Sequence, residues 1–516
     1  MDLHTTSGTS PQVILTKAFS SPFKNVVATA RTCYSGKGIV DDEQIDLEEG
    51  GRDRSIAQSI YQAGHHTTFQ HAQFQFALSG ISRHFIWSFL HSHPFYNSEQ
   101  VSQRYVRLKK DSFYMPPITG DARQLYLDTI DMQMAAYKAL RQSLFEVAEA
   151  EYFRIFPARG KRPEDYKKGI LKKTQEVARY VAPVATLAYL YHTISGITLL
   201  RYWRVCQEAD VPHEQREVVG RMVAAVLDHD PGYEIVLQEP LGAEDFAEFP
   251  WVNGASPTPA FKDEFDASLD GRVSRLVDYK ANGEEVLAGA VREVLGRAEA
   301  ELSDDDAIEL ALNPGQNRVF SEVLNLTTHA KITSALHHPA YTFRKKLSHT
   351  ADSQDQRHRM TPGSRPILAT QLSSEPDVIT PALIEADEPS HRRYKATMIR
   401  TWEAIDKLKG LGVPGEFANY LLPNAVAVRF TESADLLNLH HKHRMRLCYN
   451  AQEEIWRASV DEAQQVRAVH PRIGKYLLPP CTQRLMAQAR PVCPEGDRYC
   501  GVPVWKLDVG EYERLL

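Results

Sequence analysis

Long apolar runs are missing from this 516-residue chain. No stretch approaches the roughly 18 consecutive apolar residues of a membrane-spanning helix, so no membrane span is expected. Cysteine is scarce: six in a chain this long do not build a disulfide framework, and a reducing compartment fits better. A dominant charge is also absent, since 60 Lys and Arg face 66 Asp and Glu for a formal net charge of -6. That balance excludes a strongly basic nucleic-acid coat, and no nucleic-acid partner is expected. Met1 to Gln12 is polar and lacks the basic-then-apolar pattern of a secretory signal. The expectation is a cytoplasmic protein. Hydrophobic and charged contents of 43% and 24% are ordinary for a globular protein, and the length predicts two or three domains.

Proline and glycine punctuate what is present. Residues 239–285 have little periodicity and include Trp251-Val-Asn-Gly-Ala-Ser-Pro-Thr-Pro, which cannot continue a helix or central strand, so they read as a linker. A second irregular stretch runs from Pro362 to Ser390 with five prolines: Pro362, Pro366, Pro376, Pro381 and Pro389. Elsewhere, Leu127, Ile130, Met134, Tyr137 and Leu144 recur at helical spacing, as do Val291, Val294, Leu295 and Ala298. Ala72, Phe74, Phe76 and Leu78 alternate instead, which predicts a half-buried strand. The two sides of the linker resemble each other. Glu176-Val-Ala-Arg-Tyr-Val-Ala-Pro183 matches Glu416-Phe-Ala-Asn-Tyr-Leu-Leu-Pro423, and His71, Phe76 and Ser82 match His338, Phe343 and Ser348 in the same order. Collinear matches predict a duplication, with a first repeat over 10–238, the linker over 239–285, and a second repeat over 286–516 that ends in a cysteine-containing tail.

Candidate chemistry starts at Arg357-His358-Arg359, just beyond Gln354. Two guanidinium forks around an imidazole suit phosphates and an electron-rich ring. Alone, the triplet reads more readily as a solvated basic cluster. Its context, Leu347-Ser-His-Thr-Ala-Asp-Ser-Gln-Asp-Gln-Arg-His-Arg359, resembles the front half of the signature of flavin-dependent thymidylate synthases. The continuation Met360-Thr-Pro-Gly-Ser-Arg-Pro366 lacks the family's Ser-x-Arg-Tyr ending. The first repeat reverses this. Gly64-His-His-Thr-Thr-Phe-Gln-His71 resembles the family's entry to the flavin site, with Gln70 in place of Glu, and His91-Ser-His-Pro94 replaces Arg-His-Arg. Its back half, Asn97-Ser-Glu-Gln-Val-Ser-Gln-Arg-Tyr105, is intact. Downstream, Glu176 to Pro183 resembles the family's Ala-Arg segment, while the second repeat puts Asn419 at the arginine. Met445-Arg446-Leu-Cys-Tyr-Asn-Ala-Gln452-Glu-Glu-Ile455 resembles the late arginine segment. The matching part of the first repeat keeps Glu217-Val218 with no arginine in register, although Arg201 and Arg204 lie nearby.

The resemblance implies an α+β fold repeated twice, each copy an antiparallel sheet flanked by helices. It also implies reductive methylation of dUMP to dTMP with methylenetetrahydrofolate and NADPH as co-substrates and FAD as cofactor, at a site drawn from both repeats. Arg446 would be the catalytic residue, stabilising negative charge on the uracil. Gln354, Arg357, Ser102, Arg104, Arg179 and Gln100 would bind dUMP; Arg357, His358, Arg359, Thr67, Ser334 and His441 would contact FAD. The small-molecule partners are then dUMP and folate, in a homodimer equivalent to the family's tetramer. The alternative is a non-catalytic or altered-substrate homologue that binds flavin and pyrimidine nucleotide. His440 to His443 also reads as a solvated helix face, and Cys448 as core. Cys481, Cys493 and Cys500 could be three zinc ligands with a histidine as the fourth, but they lack a tight Cys-x2-Cys knuckle and read better as free cysteines, so no metal is expected.

Overall fold

The computed structural model describes residues 10–90, 93–109, 111–208, 210–252 and 259–514. His91 and Ser92, in the segment that replaces Arg-His-Arg, lie outside these residues, as do residues 253–258 of the stretch read as a linker. The described chain divides into two compact units. The first takes residues of Met1–Met134, Ala182–Ala255 and Glu403–Leu422; the second takes those of Ala135–Val181, Ser256–Trp402 and Pro423–Leu516. Each unit therefore contains a segment that sequence assigns to the other repeat.

The first unit holds an antiparallel sheet of β1 (Gln12–Ala18), β2 (Gln73–Ser82), β3 (Asn97–Gln100) and β4 (Leu187–Ser195), in the order β1-β2-β4-β3. The alternation predicted for β2 is present, with Phe74, Phe76 and Leu78 buried. In β4, Ala188, Leu190, His192 and Ile194 point inward while Tyr189 and Tyr191 are exposed. Three helices follow the strands: α1 (Arg83–Phe89) after β2, α2 (Gly196–Arg204) after β4, and α3 (Pro212–His229), which packs on β1.

The second unit repeats this plan with β5 (Ser274–Tyr279), β6 (Ala340–Ser348) and β7 (Ala427–Asp435), all antiparallel in the order β5-β6-β7. Residues 239–285 thus include an edge strand of the second sheet. The matching helices are α4 (His349–Asp355), α5 (Leu436–Arg446) and α6 (Glu453–Val469). Both edge strands carry a register shift at the same place, between Leu15 and Lys17 and between Leu276 and Asp278. One difference explains an offset between the repeats. β2 has a bulge between Ser79 and Ile81, where Gly80 adopts a φ of 68°, and β6 has none. A strand matching β3 is replaced by a single bridge from Gly363 to Glu432, because Pro362 and Pro366 bracket it and cannot donate to a ladder.

The same buried knot fixes each strand-to-helix corner. In the second unit, Glu454 accepts from Ser348 N (2.5 Å), Ser348 Oγ (2.7 Å) and Tyr180 OH (2.5 Å), while Ser348 Oγ caps α4 by accepting from Ala351 N. In the first unit, Glu214 accepts from Ser82 N (2.7 Å), Ser82 Oγ (2.7 Å) and Tyr420 OH (2.6 Å), and Ser82 Oγ caps α1. Each tyrosine comes from the segment supplied by the other repeat. The glutamate in register with Glu454 is therefore Glu214 and not Glu217. Sequence comparison slipped by one helical step, because position 217 continues the same face of α3 as position 214.

Burial pushes both Glu214 and Glu454 up to about 7, and the serine and tyrosine donors offset only part of that rise. A carboxyl raised from its usual 4.5 binds its proton more tightly in the folded state. Its stabilising contribution is complete below about 4.5 and is lost as pH rises through about 7. Glu214→Gln removes this titration. The difference in unfolding temperature between wild type and variant is expected to move in the variant's favour from about pH 5 to about pH 8. A difference that stays flat with pH contradicts the assignment.

Candidate functional site

Ser348 ends β6 and starts α4, so the residues at the far end of this short helix leave the sheet in a fixed direction. Gln354 lies in its last turn, and His358 and Arg359 follow half-buried, with Arg357 exposed between Gln354 and them. Helix α5 approaches from the other side. Arg446, its last residue, donates from Nε to His358 Nε2 (2.9 Å) and from Nη2 to the Gln354 carbonyl (2.8 Å). His358 Nε2 must then be the acceptor, which makes the ring the neutral tautomer protonated at Nδ1. Burial, then Arg446 and Lys442, hold its pKa well below the usual histidine range. His441, five residues before Arg446 on α5, meets the His358 ring edge-on at 5.9 Å. Its Nδ1 is buried with no partner among the described residues, and burial followed by Arg444 and Arg446 lowers its pKa.

Arg179 reaches the same place from the 135–181 segment. Its Nη2 donates to Gln452 Oε1 (2.8 Å), which also accepts a short bond from Gln354 Nε2. Gln452 Nε2 in turn contacts Tyr180 OH. Arg179 and Gln452 are buried, and Asn424 Nδ2 holds the Arg179 carbonyl (3.0 Å). The second unit thereby joins Arg179, Gln354, His358, His441 and Arg446 in one cluster. Gln452, part of the late arginine motif, was not singled out from sequence and is its hub. Gln354 Oε1 is left buried without a partner among the described residues. Ser334 lies in this unit but on its surface, bonded to the Lys331 carbonyl at 2.6 Å.

Gln100, Ser102, Arg104 and Thr67 belong to the first unit. Gln100 ends β3 and accepts from Arg83 Nη1 at 2.7 Å. Ser102 Oγ accepts from Arg104 N at 3.2 Å in a tight turn, where the Arg104 guanidinium lies 5.6 Å from the Tyr105 ring. Thr67 is exposed at the start of a 3-10 turn over Thr68–Gln70. A cleft of about 1060 Å³ in the second unit, lined among others by Arg154, Arg159, Lys173 and Arg457, contains none of the residues predicted from sequence.

The family described as thymidylate synthase complementing protein, Thy1, matches this chain twice, over residues 14–232 and 275–472. The chain belongs to the Thy1 family. Among its relatives are flavin-dependent thymidylate synthases of Clostridium tetani (28% identical over 211 residues, 40% of this chain and 78% of that protein) and Sulfolobus acidocaldarius (29% over 217 residues, 40% and 77%). That of Sulfurisphaera tokodaii is 33% identical over 153 residues, 29% of this chain and 58% of that protein. A crystal structure of a UMP/dUMP methylase, PolB, from Streptomyces cacaoi bound with 5-Br dUMP aligns at a TM-score of 0.30 and 21% identity, covering 45% of this chain and 98% of that one.

The two Thy1 copies differ most beneath the cluster. In the second unit Lys345 and Lys442 are fully buried among Asp355, Glu432 and Glu462, with Lys345 to Glu432 at 2.6 Å, Lys345 to Glu462 at 2.8 Å and Lys442 to Asp355 at 3.0 Å. Arg365 joins through Asp352 (3.1 Å), and His443 through Glu462 (3.0 Å). Burial alone would raise Asp355 and Glu462, but the two lysines hold both well below the usual carboxylate range. At the matching positions of the first unit stand Leu78, Tyr202, Phe89, His192 and Met222. Phe89 packs on Tyr202 at 4.4 Å, and His192 stacks on Tyr202 at 5.8 Å. Burial, then His93, drives His192 down to about 3.

Sequence reading missed the ion network because Lys345 and Lys442 carry no motif. The reading of residues 440–443 as a solvated face is corrected: His440, Lys442 and His443 are buried, and only His441 is half-exposed. Arg365, in the segment that departs from Ser-x-Arg-Tyr, is committed to the network. Of the two arginines near the register of Arg446 in the first copy, Arg201 is exposed on α2. Cys206 holds that register and is buried, while Arg204 bonds the Glu239 carbonyl. Asn419, at the register of Arg179, is buried in the first unit.

Two expectations follow. Nitrogen-resolved NMR of His358 is expected to report a neutral ring at about pH 6, and an imidazolium there would contradict the Arg446 contact. Lys345→Met removes one ammonium facing three buried carboxylates and is expected to cost about 3–5 kcal/mol in denaturant unfolding; a loss below about 1 kcal/mol would sink the network's structural role.

Proposed function

We propose that this chain is a flavin-dependent enzyme that reductively methylates a pyrimidine nucleotide, dUMP to dTMP, using methylenetetrahydrofolate and NADPH. The observation that carries the reading is the junction of Arg179, from the first repeat, with Gln354, His358 and Arg446 of the second. Residues kept in opposite repeats form one hydrogen-bonded group. Arg446 meets a neutral imidazole at His358, and a guanidinium in that place suits stabilising a developing negative charge on a uracil ring. Arg179 and Gln354 would orient the nucleotide, with Arg357 beside them, while Gln100, Ser102 and Arg104 would hold its phosphate end.

The second unit also fits a flavin. His441 Nδ1 and Gln354 Oε1 are buried polar atoms without partners among the described residues, and two imidazoles next to Arg357 and Arg359 suit a flat, electron-rich ring with phosphates. FAD would supply hydride transfer between NADPH and the one-carbon adduct. His358, Arg359 and His441 would hold its ring, and Thr67 and Ser334 would contact it at the family's entry motif. The corresponding group of the first unit has Cys206 and Asn419 in place of the two arginines, which supports one competent site type and one silent one. We further read the active species as a homodimer of these two-copy chains, acting on small molecules in the cytoplasm.

Tritium release from 5-tritiated dUMP, with NADPH and methylenetetrahydrofolate, tests the activity. Arg446→Ala is expected to lower kcat by about 100-fold or more, and Arg104→Ala to raise KM for dUMP. Because Arg179 and Arg446 lie in one unit of one chain, mixing Arg179→Ala with Arg446→Ala is expected to restore nothing. Release that is absent from flavin-loaded wild type would reject the reaction, and an unimpaired Arg446→Ala would reject the site.

A further inference from the structure

Four of the six cysteines converge on one small cavity in the second unit. Cys448 follows α5, Cys481 lies in the first turn of α7 (Pro480–Met486), and Cys493 and Cys500 come from the loop beyond α7. The cavity has room for about 10 Å³, the scale of a single water or ion. All four are free thiols. The surrounding loop has almost no regular structure. Arg484 donates to the carbonyls of Arg490 and Pro491, and Asn450 Nδ2 to that of Arg498 at 2.7 Å.

A divalent cation would give the four sulfurs lining this cavity a common partner, because each thiolate then faces positive charge.

We propose that Cys448, Cys481, Cys493 and Cys500 form a structural zinc site of the four-cysteine class. Four sulfurs without an imidazole select zinc over harder cations and leave no open position for catalysis. Among the described residues no group of three or more ligands already stands at metal geometry, and the Cys500 thiol donates to the Val502 carbonyl at 3.6 Å. Binding turns the sulfurs inward: four thiols and one Zn²⁺ give a tetrathiolate complex of charge −2 and release four protons. No pair of these cysteines has knuckle spacing, and the fourth ligand is the one that reads from sequence as core. The metal would tie Cys448, two residues beyond Arg446, to the C-terminal loop.

The test uses full-length protein purified without chelator or metal-affinity tag. Elemental analysis is expected to give about one zinc per chain, with Co²⁺ exchange producing the thiolate charge-transfer and d–d bands of a tetrahedral sulfur site. Cys493→Ser and Cys448→Ser are each expected to lose most of the metal, and Cys33→Ser to keep it. Zinc below about a tenth of an equivalent after incubation with excess zinc and desalting would overturn the site. So would full retention by Cys448→Ser, a disulfide among the four in freshly purified protein, or a cobalt spectrum without thiolate bands. Flavin content and tritium release are read separately, so loss of the zinc proposal leaves the proposed reaction standing or falling on its own data.

Discussion

The buried glutamate at each strand-to-helix corner is the constraint on which the rest of the second unit depends. Glu454 fixes the backbone and hydroxyl of Ser348, and Ser348 caps α4, so the glutamate sets where Gln354, Arg357 and His358 emerge. Its third donor, Tyr180, comes from the segment contributed by the other repeat. Tyr180 is adjacent to Arg179, and the same bond that satisfies the carboxyl therefore seats Arg179 against Gln452. One carboxyl, unable to stay buried without donors, thus couples the fold of one repeat to the placement of Arg179 from the other.

Beneath that corner the two Thy1 copies have taken opposite routes. Filling the space with Phe89, Tyr202 and His192 is the less demanding solution, because aromatic packing needs no compensation for desolvated charge. Burying Lys345 and Lys442 among three carboxylates demands that nearly every charge find partners. Such a network is hard to retain by drift, since loss of one member strands the others. Its presence under the copy that keeps Arg446 and His358, and its replacement by rings under the copy that has Cys206, marks the side on which geometry has been held under constraint.

Much of this was legible in the residues. The alternation of Phe74, Phe76 and Leu78 marked β2, the spacing from Leu127 to Leu144 marked the long helix Gly120–Ile155, and the divided motifs marked residues that meet in the second unit. What stayed hidden depends on tertiary register. A bulge at Gly80 shifts the copies by one residue, and Glu214 and Glu217 share a helix face, so only hydrogen-bond partners distinguish them. Lys442 sits in a His-rich run that looks solvated because sequence does not reveal which side of α5 meets the sheet. The edge strand Ser274–Tyr279 was masked by the acidic, glycine-containing residues before it.

The exchange of segments between repeats has a genetic consequence. A freshly duplicated gene can ordinarily lose either copy without harm, since each product folds alone. Once residues 135–181 complete one unit and 403–422 the other, neither half-gene encodes a finished body, and deletion of either copy leaves the remaining copy's carboxyl without its tyrosine. The duplication is then held in place by folding rather than by dosage. Each copy is free to shed the duties its neighbour performs, provided it continues to lend its tyrosine.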